Sequence, residues 1–208
     1  MQKIMFNDRY GLTDAVIEGR KIMTRRLVSD RLWEIWTNYD DFCNSVIGGI
    51  ARGGISVSRE YYRECDFFKD KCRYKVGEVV AVAQSYEQAY RQGNMDADDA
   101  IIRGLKYDPG MCNKMYVRAA LMPHQIRIIG IRCERLWDIS DEECIKEGVY
   151  AGSQALEYPY YFIDTKQFLI CDYKSPREAF AALIDKVSGR GTWDQNPWVV
   201  AYEFELVK

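Results

Sequence analysis

The chain has a single histidine, His124, among its 208 residues. That leaves too few imidazoles for a His-rich metal site or a Cys-Cys-His zinc centre. Its seven cysteines, at 43, 65, 72, 112, 133, 144 and 171, are odd in number and contain no Cys-x-x-Cys pair. They read as free thiols of a reducing, cytoplasmic compartment. Net charge is also lacking, at −2. A strongly basic nucleic-acid footprint is therefore absent, and any nucleic-acid site must be a local patch or take a small ligand. No apolar run approaches membrane-spanning length, so no membrane partner is expected. Met1 to Phe6 is too short and polar for a signal peptide. Gly48 to Gly54 lacks the Gly-Lys-Ser/Thr ending of a phosphate loop and reads as a connector. The Asp96, Asp98, Asp99 cluster lacks the glycine and terminal glutamate of a calcium loop. No metal and no cofactor are expected.

What is present is a globular composition, 48 % hydrophobic and 13 % aromatic. At this length the chain builds one good core, or two small ones at most. Ile4 to Phe6 starts a strand. Thr13 is placed to cap a short helix that Gly19 ends in the left-handed conformation. Ser29 is an N-cap candidate for a longer helix with Leu32, Ile35, Trp36, Tyr39, Phe42, Cys43 and Val46 on its core stripe, leaving Trp33 off it. Residues 59–75 carry no clear period. Gly77 to Ala83 reads as a strand buried on both faces. Strands are also expected over Lys114 to Leu121 and over Ile126 to Leu136, the latter with a bulge beside Gly130.

Ser140-Asp141-Glu142-Glu143 is a capping box for a helix that Gly148 closes, and Ser175-Pro176-Arg177-Glu178 is another. The second helix buries Phe180, Leu183, Ile184 and Val187. A strand is expected at Phe168 to Cys171. The last strand, Trp198 to Val207, places Val200, Tyr202, Phe204 and Leu206 on one face. Repeats, low-complexity tracts and clean linkers are all lacking, so residues 1–208 read as one domain with insertions near 28–75, 86–112 and 150–172.

The densest chemistry lies in Gly19-Arg20-Lys21-Ile22-Met23-Thr24-Arg25-Arg26, with four cations and one hydroxyl in eight residues. Backbone amides, Lys21 and the Thr24 hydroxyl can converge there on one anionic or carbonyl-bearing group. A charge run is more often a solvated face, since lysine and arginine are mostly exposed. Trp193 and Trp198 flank the Asp194–Pro197 loop and are candidates for stacking a base, although either also serves to close a core. His124 and Asp138 read as local structural residues.

Gly19-x-Lys21-x-x-Thr24-x-Arg26 resembles the signature of the ASCH family, relatives of the PUA RNA-binding domains found in bacteria, phages and prophages. The resemblance extends, in order, through Gly77-Glu78-Val79, Leu136-Trp137-Asp138-Ile139-Ser140 and Asn196-Pro197-Trp198 to Phe204. The chain looks most like the larger phage and prophage members.

The resemblance implies an α+β, PUA-like fold: a small mixed β-barrel with surrounding helices and long insertions. It implies a cleft for RNA or a modified nucleoside near Lys21, Thr24 and Arg26, with Gly19, Arg20, Arg25 and Trp193 as further ligand contacts. Some small family members are amidohydrolases that deacylate the exocyclic nitrogen of cytidine derivatives. Their working Lys, Thr and Glu match Lys21, Thr24 and Glu147, where Cys144 replaces a usual alanine three residues earlier. RNA cleavage is a lesser alternative. The aromatic insertions also leave room for a protein partner, as in a phage–host interaction protein.

Overall fold

Val79–Val82 follows the left-handed Gly77 and forms a strand with Val80, Ala81 and Val82 all wholly buried. It belongs to a computed structural model that describes residues 1–50, 63–92, 104–152, 161–163 and 173–207, with residues 42–50 described at the backbone level. Seven strands occur among these residues: β1 Lys3–Ile4, β2 Met23–Leu27, β3 Val79–Val82, β4 Gln125–Arg135, β5 Tyr150–Ala151, β6 Tyr161–Phe162 and β7 Trp198–Leu206. The helices are α1 Leu12–Ile17, α2 Asp30–Ile50, α3 Glu64–Lys71, α4 Tyr86–Arg91, α5 Asp141–Lys146, α6 Pro176–Ser188 and α7 Thr192–Gln195.

The fold is α+β. Five strands pair in the order β1-β3-β4-β7-β2, with β1 parallel to β3 and the other pairs antiparallel. β5 and β6 form a separate two-stranded ribbon. The larger sheet is open, in contrast to the closed barrel implied by the family resemblance. β1 is two residues long, and the Lys3 ammonium beside it is engaged by the Met115 and Val117 carbonyls at 2.5 and 2.8 Å. Among the described residues, β2 sits at the opposite edge, paired with β7 alone.

Several local signals form the elements they predict. Gly19 takes φ +73° and closes α1, its amide donating to Val16. Ser29 accepts from the Leu32 amide at the start of α2. Ser140 and Glu143 form the reciprocal capping box of α5, and Ser175 caps α6 with Pro176 in its first turn. The pairing of β4 with β7 shifts register between Ile128 and Gly130.

Other expectations are corrected. Gly11, not Thr13, is the N-cap of α1; the Thr13 hydroxyl instead donates to Asp8 and to the Phe6 carbonyl. Gly48 and Gly49 continue α2 rather than forming a connector. On α2, Ile35 and Tyr39 are exposed, while Trp33 packs edge-on against Phe68 at 4.8 Å. Tyr39 nonetheless stacks on Phe67 of α3 at 5.8 Å, so it is Ile35 that departs from the expected stripe.

Lys114 to Leu121 is a series of turns with a 3-10 segment, Ala119–Leu121, because it buries Val117 but leaves Met115 and Tyr116 to solvent. Val187 and Leu206 are exposed at the ends of their elements. The expected strand at Phe168–Cys171, the Asp96–Asp99 cluster, residues 51–54 of the glycine run and the Phe42, Cys43 and Val46 side chains lie outside what is described.

Burial pushes the Cys133 and Cys144 thiols from 9.0 up to about 12. The unfolded chain therefore loses these protons first, and their contribution to stability is complete below pH 9.0 and lost as pH rises toward about 12. Urea unfolding across that interval should show a falling midpoint, and a Cys133→Val, Cys144→Ala variant should show a shallower fall than the parent.

Candidate functional site

The end of α1 delivers Lys21 to the interior. After Gly19 turns the chain, the Arg20 and Lys21 amides both donate to the Ala15 carbonyl, and the Ile22 amide donates to Lys146 at the end of α5. Lys21 is 2 % exposed. Its ammonium lies 2.6 Å from the Glu147 carboxylate and 2.6 Å from the Glu147 carbonyl oxygen. Glu147 is the C-cap of α5, where its charge opposes the helix dipole. The lysine compensates for that placement.

Gly148 makes the approach feasible. It holds φ +102°, and a Cβ there would lie 3.2 Å from Leu12 and 3.5 Å from the Lys21 side chain.

Arg25 completes the cluster. Its side chain is fully buried and bonds Glu147 at 3.2 Å, Glu134 at 2.6 Å and Glu143 at 2.5 Å. Arg132 closes on Glu143 and on Glu134, the latter at 3.8 Å. Lys21, Arg25 and Arg132 thus face Glu134, Glu143 and Glu147, and the formal charges cancel. Burial holds Lys21 below the ordinary lysine range; Glu147 opposes this by attraction and hydrogen bonding, while Arg26 and Arg25 reinforce it. Burial pushes the Glu143 carboxyl up, but hydrogen bonds from Arg132 and Arg25 outweigh it and hold the group below its usual value.

Strand alternation divides the motif. Thr24 opposes Tyr202 and Arg26 opposes Val200, so these four share one face; Arg25 opposes Ala201 on the other. Thr24 and Arg26 line a cavity of about 300 Å³ at the β2 edge, with Phe6, Asn7 and Leu12. Arg26 bonds the Met5 carbonyl, lies 5.7 Å from the Phe6 ring centre and has a buried Nε without a partner. Of the two arginines, Arg26 is the one whose charge is not matched by a carboxylate among the described residues.

The remaining candidates lie apart. Gly19 acts through its turn. Arg20 pairs with Glu18 at 2.5 Å and covers the Tyr150 ring at 4.2 Å. Trp193 is packed between Phe180, Trp137 and the Arg177 guanidinium and is not among the described residues lining the cavity. Trp198 donates to Glu64 and packs on Phe68. Asp138 accepts the Arg135 amide, and the His124 carbonyl accepts the Val82 amide. Among the described residues, no group of His, Cys, Asp or Glu could hold a metal ion, and no helix is long and apolar enough to cross a membrane.

Sequence reasoning missed Glu134, Glu143 and Arg132, which are far from β2 in the chain and meet Arg25 through the β4–β7–β2 pairing. It also missed a second, larger cavity beside Arg26, of about 610 Å³, reached by Arg31, Lys71 and Arg73. Cations recurring at 69, 71, 73 and 75 were the available signal.

Glu147→Gln leaves Lys21 buried with half its compensation gone. Removing one partner of a buried pair costs about 3–5 kcal/mol, so the urea midpoint of this variant should fall far more than that of the exposed control Glu142→Gln. The depressed Glu143 carboxyl adds stability above the usual carboxylate range that is lost as pH falls through and below it. Acid unfolding of Glu143→Gln should accordingly lose part of the parent's pH dependence.

Comparison with protein-family models, with curated proteins and with solved structures finds no match.

Proposed function

We propose that the chain is an ASCH-type protein with a PUA-like architecture that binds RNA or a modified nucleoside at the Thr24–Arg26 cavity. The observation that carries this is the division of labour along β2. Both arginines border the cavity, but Arg25 is spent on three carboxylates, whereas Arg26, beside Thr24, has no carboxylate partner among the described residues. A guanidinium and a hydroxyl at a concave edge suit a base carbonyl or a phosphate. The buried Lys21–Glu147 pair fixes the strand that presents them. A cytoplasmic location, read from the free cysteines, is part of the proposal.

Arg26→Gln should weaken binding of a short RNA or of N4-acetylcytidine by about tenfold or more, through removal of a charge-assisted hydrogen bond. Fluorescence anisotropy and calorimetry measure this. Equal affinities for parent and variant would remove the site from this cavity.

A second function is favoured by one observation. Lys21 is held below its ordinary range, three residues before Thr24 and in contact with Glu147. Burial favours the neutral amine, the form of lysine that takes a proton from a threonine hydroxyl attacking an amide. Cytidine release from N4-acetylcytidine by the parent, abolished in Thr24→Ala with the circular dichroism spectrum unchanged, would establish an amidohydrolase. Absence of release at high protein concentration would leave the binding function alone.

A further inference from the structure

The larger cavity lies where α2 and α3, both within the 28–75 insertion, face the β2–β7 side of the sheet. Four cations reach it: Arg26, Arg31, Lys71 and Arg73. No acidic side chain is found among the described residues that line it. None of the four forms an ion pair among the described residues, although Arg25, Arg127, Arg132 and Lys114 elsewhere each face a carboxylate. Arg73 touches Gln2 and the Tyr74 ring, both neutral. In a chain of net charge −2, unmatched charge of one sign is thus gathered in one concavity.

Such an arrangement is costly by self-repulsion and is relieved by an anion; clefts lined by one sign also focus the field on it. The floor, Tyr74 and Tyr202, is apolar in its ring surfaces, and the Tyr74 hydroxyl is already committed to the Lys3 carbonyl. A space of about 610 Å³ accommodates a ligand of drug-like size, about one or two nucleotides, and excludes a duplex. Arg26 and Leu27 border both this groove and the Thr24 cavity, so the two adjoin along β2.

We propose that this groove holds the phosphodiester backbone of a single-stranded nucleic acid whose terminal or flipped nucleoside occupies the Thr24 cavity. The proposal rests on the nucleoside-binding function above and specifies its substrate class: a polynucleotide rather than a free nucleoside. The backbone phosphates are bound by Arg31, Lys71 and Arg73, with Arg26 at the junction. RNA and DNA share this chemistry.

The test is anisotropy of fluorescein-labelled oligouridylate and oligothymidylate of about eight nucleotides, within the usual range of single-strand site sizes. The intact protein is compared with Arg31→Gln/Lys71→Gln/Arg73→Gln at several salt concentrations, with N4-acetylcytidine binding followed by calorimetry. The three side chains are exposed, so the variant folds; Lys186→Gln, an exposed cation on α6, is the control.

The expected result is at least tenfold weaker oligonucleotide binding. The slope of log affinity against log salt should become shallower by about 2, which is about 0.7 for each phosphate no longer neutralised. Nucleoside affinity should be unchanged. Preference between the two oligonucleotides assigns RNA or DNA. Oligonucleotide binding by the triple variant with parental affinity and slope would overturn the groove, while nucleoside binding that still depends on Arg26 would leave the earlier function standing. A parent that binds nucleoside but no oligonucleotide also overturns it, and a parent that binds neither removes both.

Discussion

Lys21 keeps its ammonium in an interior position because Glu147 supplies both a carboxylate oxygen and a carbonyl oxygen at 2.6 Å. The two residues are 126 positions apart, so the contact ties the entry of β2 to the exit of α5. An isolated charge in that place would be expelled or neutralised. A buried pair of this kind adds little stability over apolar residues of equal volume, yet removal of one partner is severe. Its value here lies in selecting one arrangement. β2 can sit only where Lys21 meets the end of α5, and Gly148 is needed to let the lysine stem pass.

From that constraint the character of β2 follows. It is an edge strand in a five-stranded open sheet, and its pleat sends Arg25 toward Glu134, Glu143 and Glu147 while Thr24 and Arg26 take the other face. Adjacent arginines of identical chemistry thereby acquire opposite roles. One is neutralised by carboxylates, and the other bonds the Met5 carbonyl with no carboxylate partner among the described residues. The edge is also where backbone groups lie open to a partner, which suits a strand that presents a ligand.

Much of the scaffold is legible in the amino-acid sequence. Ser140 with Glu143, Ser175 with Pro176, and Gly19 act through local hydrogen bonds and backbone conformation, which depend on near neighbours in sequence. The family resemblance singles out Lys21 and Glu147, but their direct contact, 126 positions apart in the chain, arises in tertiary structure. α3 is not legible, since its eight residues bury only Phe67 and Phe68 and establish no period. Trp33 falls off the helical stripe, and its packing depends on α3. Lys114 to Leu121 has strand-like composition but is held by bonds from Lys3 and to Tyr86 that arise in tertiary structure. The division between Arg25 and Arg26 requires the register of β2 on β7. The cationic groove requires the positions of α2 and α3 together.

The proposed function puts ligand contact on one strand and the residues that border it, with the buried charge cluster as its support. Backbone amide chemical-shift mapping during titration with a short single-stranded oligonucleotide tests this most directly. The predicted result is that shifts concentrate at Thr24 to Leu27, at Arg31 and at Lys71 to Arg73, with Trp193 and its packing partners Trp137 and Phe180 unmoved. Shifts confined to the Trp193 region, with β2 unperturbed at saturation, would contradict it.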